Sequence, residues 1–211
     1  MSVITIDLWG TLIKSSPRFK KEKINFCKKF FPNSTDADIE KAFFEVKSQF
    51  NAIVEATGYQ PPLRLIFELL LCKFNGKYAS FDFLDDFIQS YQELAIDVPP
   101  QVFSTETLVY LEKLSKGNTL MLSSNTMFIQ GYVLKTIIKS NGIADSFLGF
   151  WFSDETGYSK PHPQMYYPHG YHIGDNPITD GTGAVDAGAK SIIINSNSKT
   201  ISDAYNIIAQ G

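Results

Sequence analysis

Cysteine is scarce in this chain. Cys27 and Cys72 are the only two, and their separation matches neither a metal-binding nor a redox spacing. Two isolated thiols in 211 residues exclude a disulfide-stapled scaffold and suit a reducing compartment, where they read as inert core groups. Neither sign of charge dominates. The 19 basic and 22 acidic residues leave a formal net charge of −3, which argues against a nucleic-acid-binding surface. Long apolar runs are missing too. Stretches such as Leu69–Cys72 and Ser191–Ile194 fall far short of the ~20 residues that cross a bilayer. The opening MSVITIDLWG has no basic segment followed by an apolar one, so the expectation is a cytoplasmic protein with no membrane partner. What remains is an ordinary globular composition, 44% hydrophobic and 19% charged, in a chain long enough to bury its own core.

The pattern along the chain divides it. A short β-branched run, Val3 to Leu8, reads as a buried strand carrying Asp7 at its end, with a turn at Gly10-Thr11. From Lys14 to Pro100 only helical spacing is convincing. One segment lies near Phe19–Phe31. A second is capped by Thr35 with Asp38 three positions on, and carries the stripe Ile39, Phe43, Val46, Phe50 and Val54. A third runs from Leu63 to Phe74 after Pro61-Pro62. A fourth runs from Ser80 to Asp97 with Phe83, Phe87, Tyr91 and Leu94 in register, and Pro99-Pro100 stops it. The lysines between 20 and 29 read as a solvated helix face. Beyond Pro100 the texture alternates: helix at Ser104–Lys116, strand at Thr119–Ser123, helix at Phe128–Ser140, strand at Phe147–Phe152. It continues with strand at Tyr171–Ile173, helix at Ile178–Ala187, strand at Ser191–Ile194 and helix at Ile201–Ala209. Alternation of this kind implies an α/β fold, a Rossmann-like parallel sheet with helices on both faces. The expected domains are therefore a core of residues 1–14 and 101–211 and an inserted, all-helical cap of residues 15–100.

An open parallel sheet binds ligands at the carboxyl ends of its strands. Those ends carry Asp7, then Ser124-Asn125, then Gly174-Asp175 with Asp180 five residues later, while Lys160 stands in GYSKPHP after the third strand. In this order the stretches IDLWGTL (6–12), LSSNT (122–126), SKPHP (159–163) and GDNPITD (174–180) resemble the haloacid dehalogenase superfamily, and the helical insertion resembles its cap. The resemblance implies phosphoryl-transfer chemistry. Asp7 is then the nucleophile that forms an aspartyl phosphate. Ser124 hydrogen-bonds a phosphoryl oxygen, and Lys160 balances charge. Mg²⁺ is held by Asp7, Asp175, the backbone carbonyl of Trp9, and Asp180 as ligand or orienter. Trp9, Gly10, Thr11, Asn125 and the cap residue Arg64 are the candidates for contacting substrate. The Thr11 hydroxyl by itself reads as part of the loop structure. The expected partner is a small phosphorylated metabolite, taken by a monomer or homodimer.

Two departures from the family pattern matter. Phosphatases of the family carry a second aspartate two residues after the nucleophile, as acid and base; here that position is Trp9. Losing a general acid–base group costs about 10²–10⁴ in rate, most of it with poor leaving groups. The 2-haloacid dehalogenases also carry an aromatic there but generally lack the GD…D loop. An acyl-phosphate substrate reconciles Trp9 with that loop, as does an acid from among His162, His169 and His172. The alternatives are a metal-independent, dehalogenase-like hydrolase and a non-catalytic homologue that keeps the phosphate pocket. The second departure is the short stretch from Lys160 to Gly174, which leaves no room for a crossover helix. Either a core helix is lost or residues are absent from the sequence; the second is the expectation, since a helix starting at Pro163 would restore the family pattern, whereas a true deletion implies an abnormal link between the third and fourth strands and doubtful activity.

Overall fold

The computed structural model describes residues 2–76, 80–194 and 200–210. In chain order it contains β1 (Val3–Ile6), β2 (Ile13–Lys14), α1 (Pro17–Phe30), α2 (Asp36–Thr57), α3 (Leu63–Asn75), α4 (Phe81–Asp97), β3 (Gln101–Val102) and α5 (Thr105–Ser115). β4 (Thr119–Ser124), α6 (Gly131–Ser140), β5 (Gly149–Phe152), α7 (Ser153–Thr156), β6 (Tyr171–Gly174), α8 (Gly183–Asp186), β7 (Lys190–Ile193) and α9 (Ile201–Gln210) complete it. Five strands form one parallel sheet in the order β5-β4-β1-β6-β7. β1 sits at its centre and so brings Asp7 to the middle of the carboxyl edge.

The register gives the two sheet faces different character. Ile4 and Ile6 of β1 align with Leu120 and Leu122 of β4, and Ile6 aligns with Ile173 of β6. These residues are buried in one core with Leu111 and Leu114 of α5, Val133, Leu134, Ile137 and Ile138 of α6, and Ile201 of α9. The other face carries Thr5, Met121, Ser123, Trp151 and His172. Right-handed crossover places the β5-to-β6 connection over this second face. No long helix forms there. A single 3₁₀ turn, Pro163–Tyr166, buries Met165 and Tyr166, and the Ser123 hydroxyl donates to the Met165 carbonyl at 2.6 Å. The short stretch therefore does not break the sheet: β6 pairs in parallel with both β1 and β7, and the expected abnormal link is not seen. That turn, with the short α7 before it, stands where a crossover helix was expected.

The four helices α1 to α4 lie between the two strands of a second sheet. β2 pairs antiparallel with β3, so the chain leaves and re-enters the core side by side. Sequence patterning missed this two-residue ribbon. The expected cap on α2 forms: Thr35 and Asp38 make a reciprocal capping box. The aromatic stripes meet inside the bundle, where Phe26, Phe31, Phe67 and Phe83 all pack against Phe87. Two core helices differ from expectation. α6 begins at Gly131 rather than near Phe128, because the Gln130 N–H is held by Gln92 of α4 (2.9 Å) and Phe128 turns into the cap aromatics. The helix expected at Ile178–Ala187 divides into a π-turn, Pro177–Thr182, and the short α8. The wide turn starts at Asn176, whose carbonyl accepts from both Asp180 and Gly181 N–H groups.

Candidate functional site

The strand ends converge as the topology requires. Asp7 directly follows β1, and its N–H donates to the Ile173 carbonyl of β6 at 2.8 Å. The chain then turns sharply at Gly10, where φ is +82°; a Cβ there would lie 2.1 Å from the Asp175 Oδ2. Only glycine allows both the left-handed backbone and the close approach of that carboxylate. The Gly10 N–H itself donates to the Ile13 carbonyl (3.0 Å), so it is not free for a bound anion. The Trp9 carbonyl takes no part in the backbone hydrogen bonds of this turn, which pair Leu8, Gly10, Leu12 and Ile13.

Lys160 is the centre of the cluster. Its side chain is buried, and its Nζ donates to Asp7 Oδ1 and to Asp180 Oδ1, each at 2.6 Å. Asn125 holds the lysine by its backbone: Oδ1 accepts from the Lys160 N–H (2.6 Å) and Nδ2 donates to the Lys160 carbonyl (2.9 Å). Asn125 was expected to contact substrate; its amide instead positions Lys160. Asp180 is fixed from three sides, because His172 lies 2.9 Å from Oδ1 and the Asn176 N–H donates to Oδ2. An ionised carboxylate only accepts, so His172 Nε2 carries the hydrogen. Thr5 Oγ1 lies 2.8 Å from Nδ1 and 3.3 Å from the Tyr171 carbonyl, so its one hydrogen is shared between these two acceptors.

The electrostatics follow from burial and proximity. Burial holds Asp7 above the usual carboxylate range; Lys160 opposes this, and the carboxylates of Asp180 and Asp175 reinforce it. Burial also disfavours charge on Lys160 and Asp180, but their partners together outweigh it, Asp180 and Asp7 acting on the lysine, and Lys160 and His172 on Asp180. The lysine lies above its ordinary value and Asp180 well below its own. Burial raises the half-exposed Asp175, with Asp180 adding to the effect. It also lowers His172, the Asp180 hydrogen bond notwithstanding.

Two hydroxyls stand out by what they lack. Ser124 Oγ and Thr11 Oγ1 are buried with no hydrogen-bond partner among the described residues. Such groups cost about 1–3 kcal/mol each unless something meets them. Oxygens of Asp7, Asp175 and Asp180 also lie within 4.8 Å of one another. Three carboxylates around one lysine leave excess negative charge. An all-oxygen donor set of this kind fits a hard divalent cation.

The remaining expected residues lie elsewhere. The Arg64 guanidinium pairs with Asp85, donates to the Phe81 carbonyl at 3.3 Å and stacks 3.5 Å above the Phe81 ring. It holds α3 to α4 and does not join the cluster. His162 stacks on Tyr158 with ring centres 4.0 Å apart, and His169 meets Tyr167 edge-on. His172 was among the candidates for the missing acid; it is fully enclosed and acts on Asp180. Patterning also missed Gln60. From the loop after α2 it accepts, at Oε1, from Ser153 (2.6 Å) and Ser159 (2.9 Å), while its N–H donates to the Gly157 carbonyl. The one hint was its place between Tyr59 and Pro61-Pro62, in the loop that precedes Arg64.

No protein-family model matches the sequence, and no curated protein matches it. Solved structures do match. YfnB of Bacillus subtilis, assigned to the HAD hydrolases and solved with magnesium bound, superposes with a TM-score of 0.71 over 98% of each chain at 16% identity. The fold is that of the haloacid dehalogenase superfamily. A 2-haloacid dehalogenase of Pseudomonas syringae matches with a TM-score of 0.67 at 17% identity, over 100% of this chain and 99% of that one. An HAD phosphatase of Thermococcus onnurineus matches with 0.65 at 18% identity, over 99% and 98%. The HAD-like core and helical insertion are thus shared with proteins of both chemistries. In the HAD-like frame the β5-to-β6 turn and Trp9 are where this chain departs from the pattern read in its sequence.

Proposed function

We propose that this HAD-like protein is a Mg²⁺-dependent hydrolase or phosphotransferase of small phosphorylated molecules with good leaving groups, working in the cytoplasm. The observation that carries the reading is the pair of unpartnered buried hydroxyls, Ser124 and Thr11, beside a carboxylate–lysine cluster. A phosphoryl group supplies acceptor oxygens for both. In this reading an Asp7 oxygen attacks phosphorus, the bond to the leaving oxygen breaks, and an aspartyl phosphate forms. Water then attacks that phosphorus and restores the carboxylate. Lys160 neutralises charge on Asp7 and the transferring group, and Asn125 and Asp180 hold the lysine in place. Asp7, Asp175, the Trp9 carbonyl and Asp180 are the groups that would hold Mg²⁺, with Asp180 already engaged by Lys160 and His172. When bound, the metal supplies charge neutralisation at the phosphoryl oxygens. The leaving group must depart without a proton from position 9, which favours acyl and aryl phosphates over alkyl phosphates.

The test is phosphate release from acetyl phosphate, p-nitrophenyl phosphate, sugar phosphates and nucleotides, with Mg²⁺ and with EDTA. The expected result is metal-dependent turnover skewed to the first two, abolished by Asp7→Asn. Equal rates with EDTA, or an unchanged rate in Asp7→Asn, would overturn it. Trp9 favours one second reading, attack of Asp7 on carbon as in the dehalogenases. Chloride release from 2-chloropropionate in EDTA would establish that instead.

A further inference from the structure

Cap and core share a hydrogen-bonded ring, and it runs through Lys160. The loop after α2 lies antiparallel to residues 157–159. The Ser159 N–H donates to the Gly58 carbonyl (2.8 Å), the Gln60 N–H donates to the Gly157 carbonyl (3.1 Å), and Tyr59 pairs with Tyr158 between them. This short ribbon ends just before Lys160. The Gln60 side chain extends the contact. Its Nε2 donates to the Pro61 carbonyl (3.0 Å), which leaves Oε1 to face the buried Ser153 and Ser159. An amide oxygen only accepts, so both serine hydroxyls donate to it and fill its two lone pairs. Ser153 Oγ, its own hydrogen given to Gln60, then accepts from the Thr126 N–H (2.7 Å) and from the Thr126 hydroxyl (3.0 Å). Thr126 follows Asn125, and Asn125 grips the Lys160 backbone from the other side. The path therefore closes, from Gln60 through Ser159, Lys160, Asn125, Thr126 and Ser153 back to Gln60. Only Gln60 in this ring belongs to the cap.

We propose that Gln60 is a positioning residue for Lys160: from the cap, it locks the frame that sets the lysine ammonium between Asp7 and Asp180. What the ammonium does for catalysis rests on the proposed reaction; where it is held does not. Lys160 Nζ sits 2.6 Å from both carboxylates, so a small shift of its backbone lengthens at least one of those bonds. Asn125 fixes that backbone, but Asn125 is carried by the loop that Thr126 ties to Ser153. Removing the Gln60 acceptor leaves two buried hydroxyls without their partner and loosens both halves of the frame at once. Gln92 separates this role from simple attachment of the cap. It too joins cap to core, donating to the Phe128 carbonyl (2.8 Å) and accepting from the Gln130 N–H (2.9 Å), but it stands outside the ring.

Side-chain ammonium spectra of protein labelled with ¹⁵N-lysine test the placement without turnover. An ammonium buried between two carboxylates exchanges its hydrogens slowly, so wild type should show a protected resonance that is missing in Lys160→Arg. Gln60→Leu, which keeps the bulk and removes the acceptor, should shift that resonance and raise its exchange rate about tenfold, the worth of one hydrogen bond. Gln60→Glu, which keeps an accepting oxygen, should restore slow exchange. Gln92→Leu should leave the resonance where it is. With acetyl phosphate, Gln60→Leu should lower kcat about tenfold and leave KM unchanged, as for a group that acts on the transition state. Thermal melts confirm that each variant is folded; should Gln60→Leu not fold, Ser159→Ala breaks one bond of the ring and should shift the same resonance. No protected resonance in wild type, an unmoved resonance in the ring variants, or an equal change in Gln92→Leu would overturn the role. If the resonance behaves as expected and no phosphate compound is hydrolysed, the placement stands and the hydrolase reading falls.

Discussion

Position 9, two residues after Asp7, carries an indole, which is not a general acid. If the proposed chemistry holds, Trp9→Asp should raise hydrolysis of alkyl phosphates relative to acetyl phosphate by about 10², within the range for a general acid. An unchanged ratio of kcat/KM values would show that position 9 does not face the leaving group. His172 carries a second residue-scale prediction. Burial lowers its pKa, so the folded protein resists the proton that the unfolded chain takes up near pH 6.5. The stability it contributes is present above that pH and is lost as pH falls below it. Asp7, shifted the other way, opposes this trend but is common to both proteins compared. The stability difference between wild type and His172→Gln, from urea unfolding between pH 7.5 and 5, should therefore shrink as pH falls. A constant difference would mean that the ring has the same pKa folded and unfolded, and a growing one that the ring is charged in the fold. The residues of the cluster were legible because strand ends in a parallel sheet must meet, so Asp7, Asp175 and Asp180 came together from spacing alone. Arg64 was misjudged because nothing in its neighbourhood of the sequence announces Asp85 or Phe81. The clamp of Asn125 on Lys160 joins residues 35 positions apart, a relation only the fold creates.

Elements formed where periodicity was strong and shifted where tertiary contacts competed with it. Helices α1 to α4 follow their apolar stripes, whereas α6 starts late because Gln92 and the cap aromatics claim residues 128–130. The π-turn at Pro177–Thr182 answers to the partners that Asp180 must reach, which no local propensity records. β2 and β3 are too short to leave any alternation to read. Within the cap, Phe87 is fully buried against Phe26 of α1, Phe31 just beyond it, Phe67 of α3 and Phe83 of α4, and Phe30 packs on it as well. Phe87→Ala should cost about 3–5 kcal/mol, seen as a lower urea midpoint by far-UV circular dichroism. A loss under 1 kcal/mol would mean that the bundle repacks around the gap.

On the scale of the whole molecule, the connection from β5 to β6 shows how little chain a parallel crossover requires. It passes over two strands, a lateral step of roughly 15 Å at about 4.8 Å per strand, and must also return along the strand length. Residues 153–170, at up to about 3.3 Å each, reach much farther than that. The helix read as missing was thus not needed for closure. Cap and core meet through Phe43 on Phe128 and through the loop of Gln60, so the bundle is attached at both ends of α2 as well as by its paired entry strands. The same crossover has an optical consequence. Trp151 lies beneath it, its indole N–H donating to the Tyr167 carbonyl, while the other tryptophan, Trp9, stands in the Asp7–Gly10 turn. In a Trp151→Phe protein all indole emission arises from that turn. Adding Mg²⁺ with beryllofluoride should then shift or quench the whole signal, and the fluorescence becomes a direct titration of occupied sites.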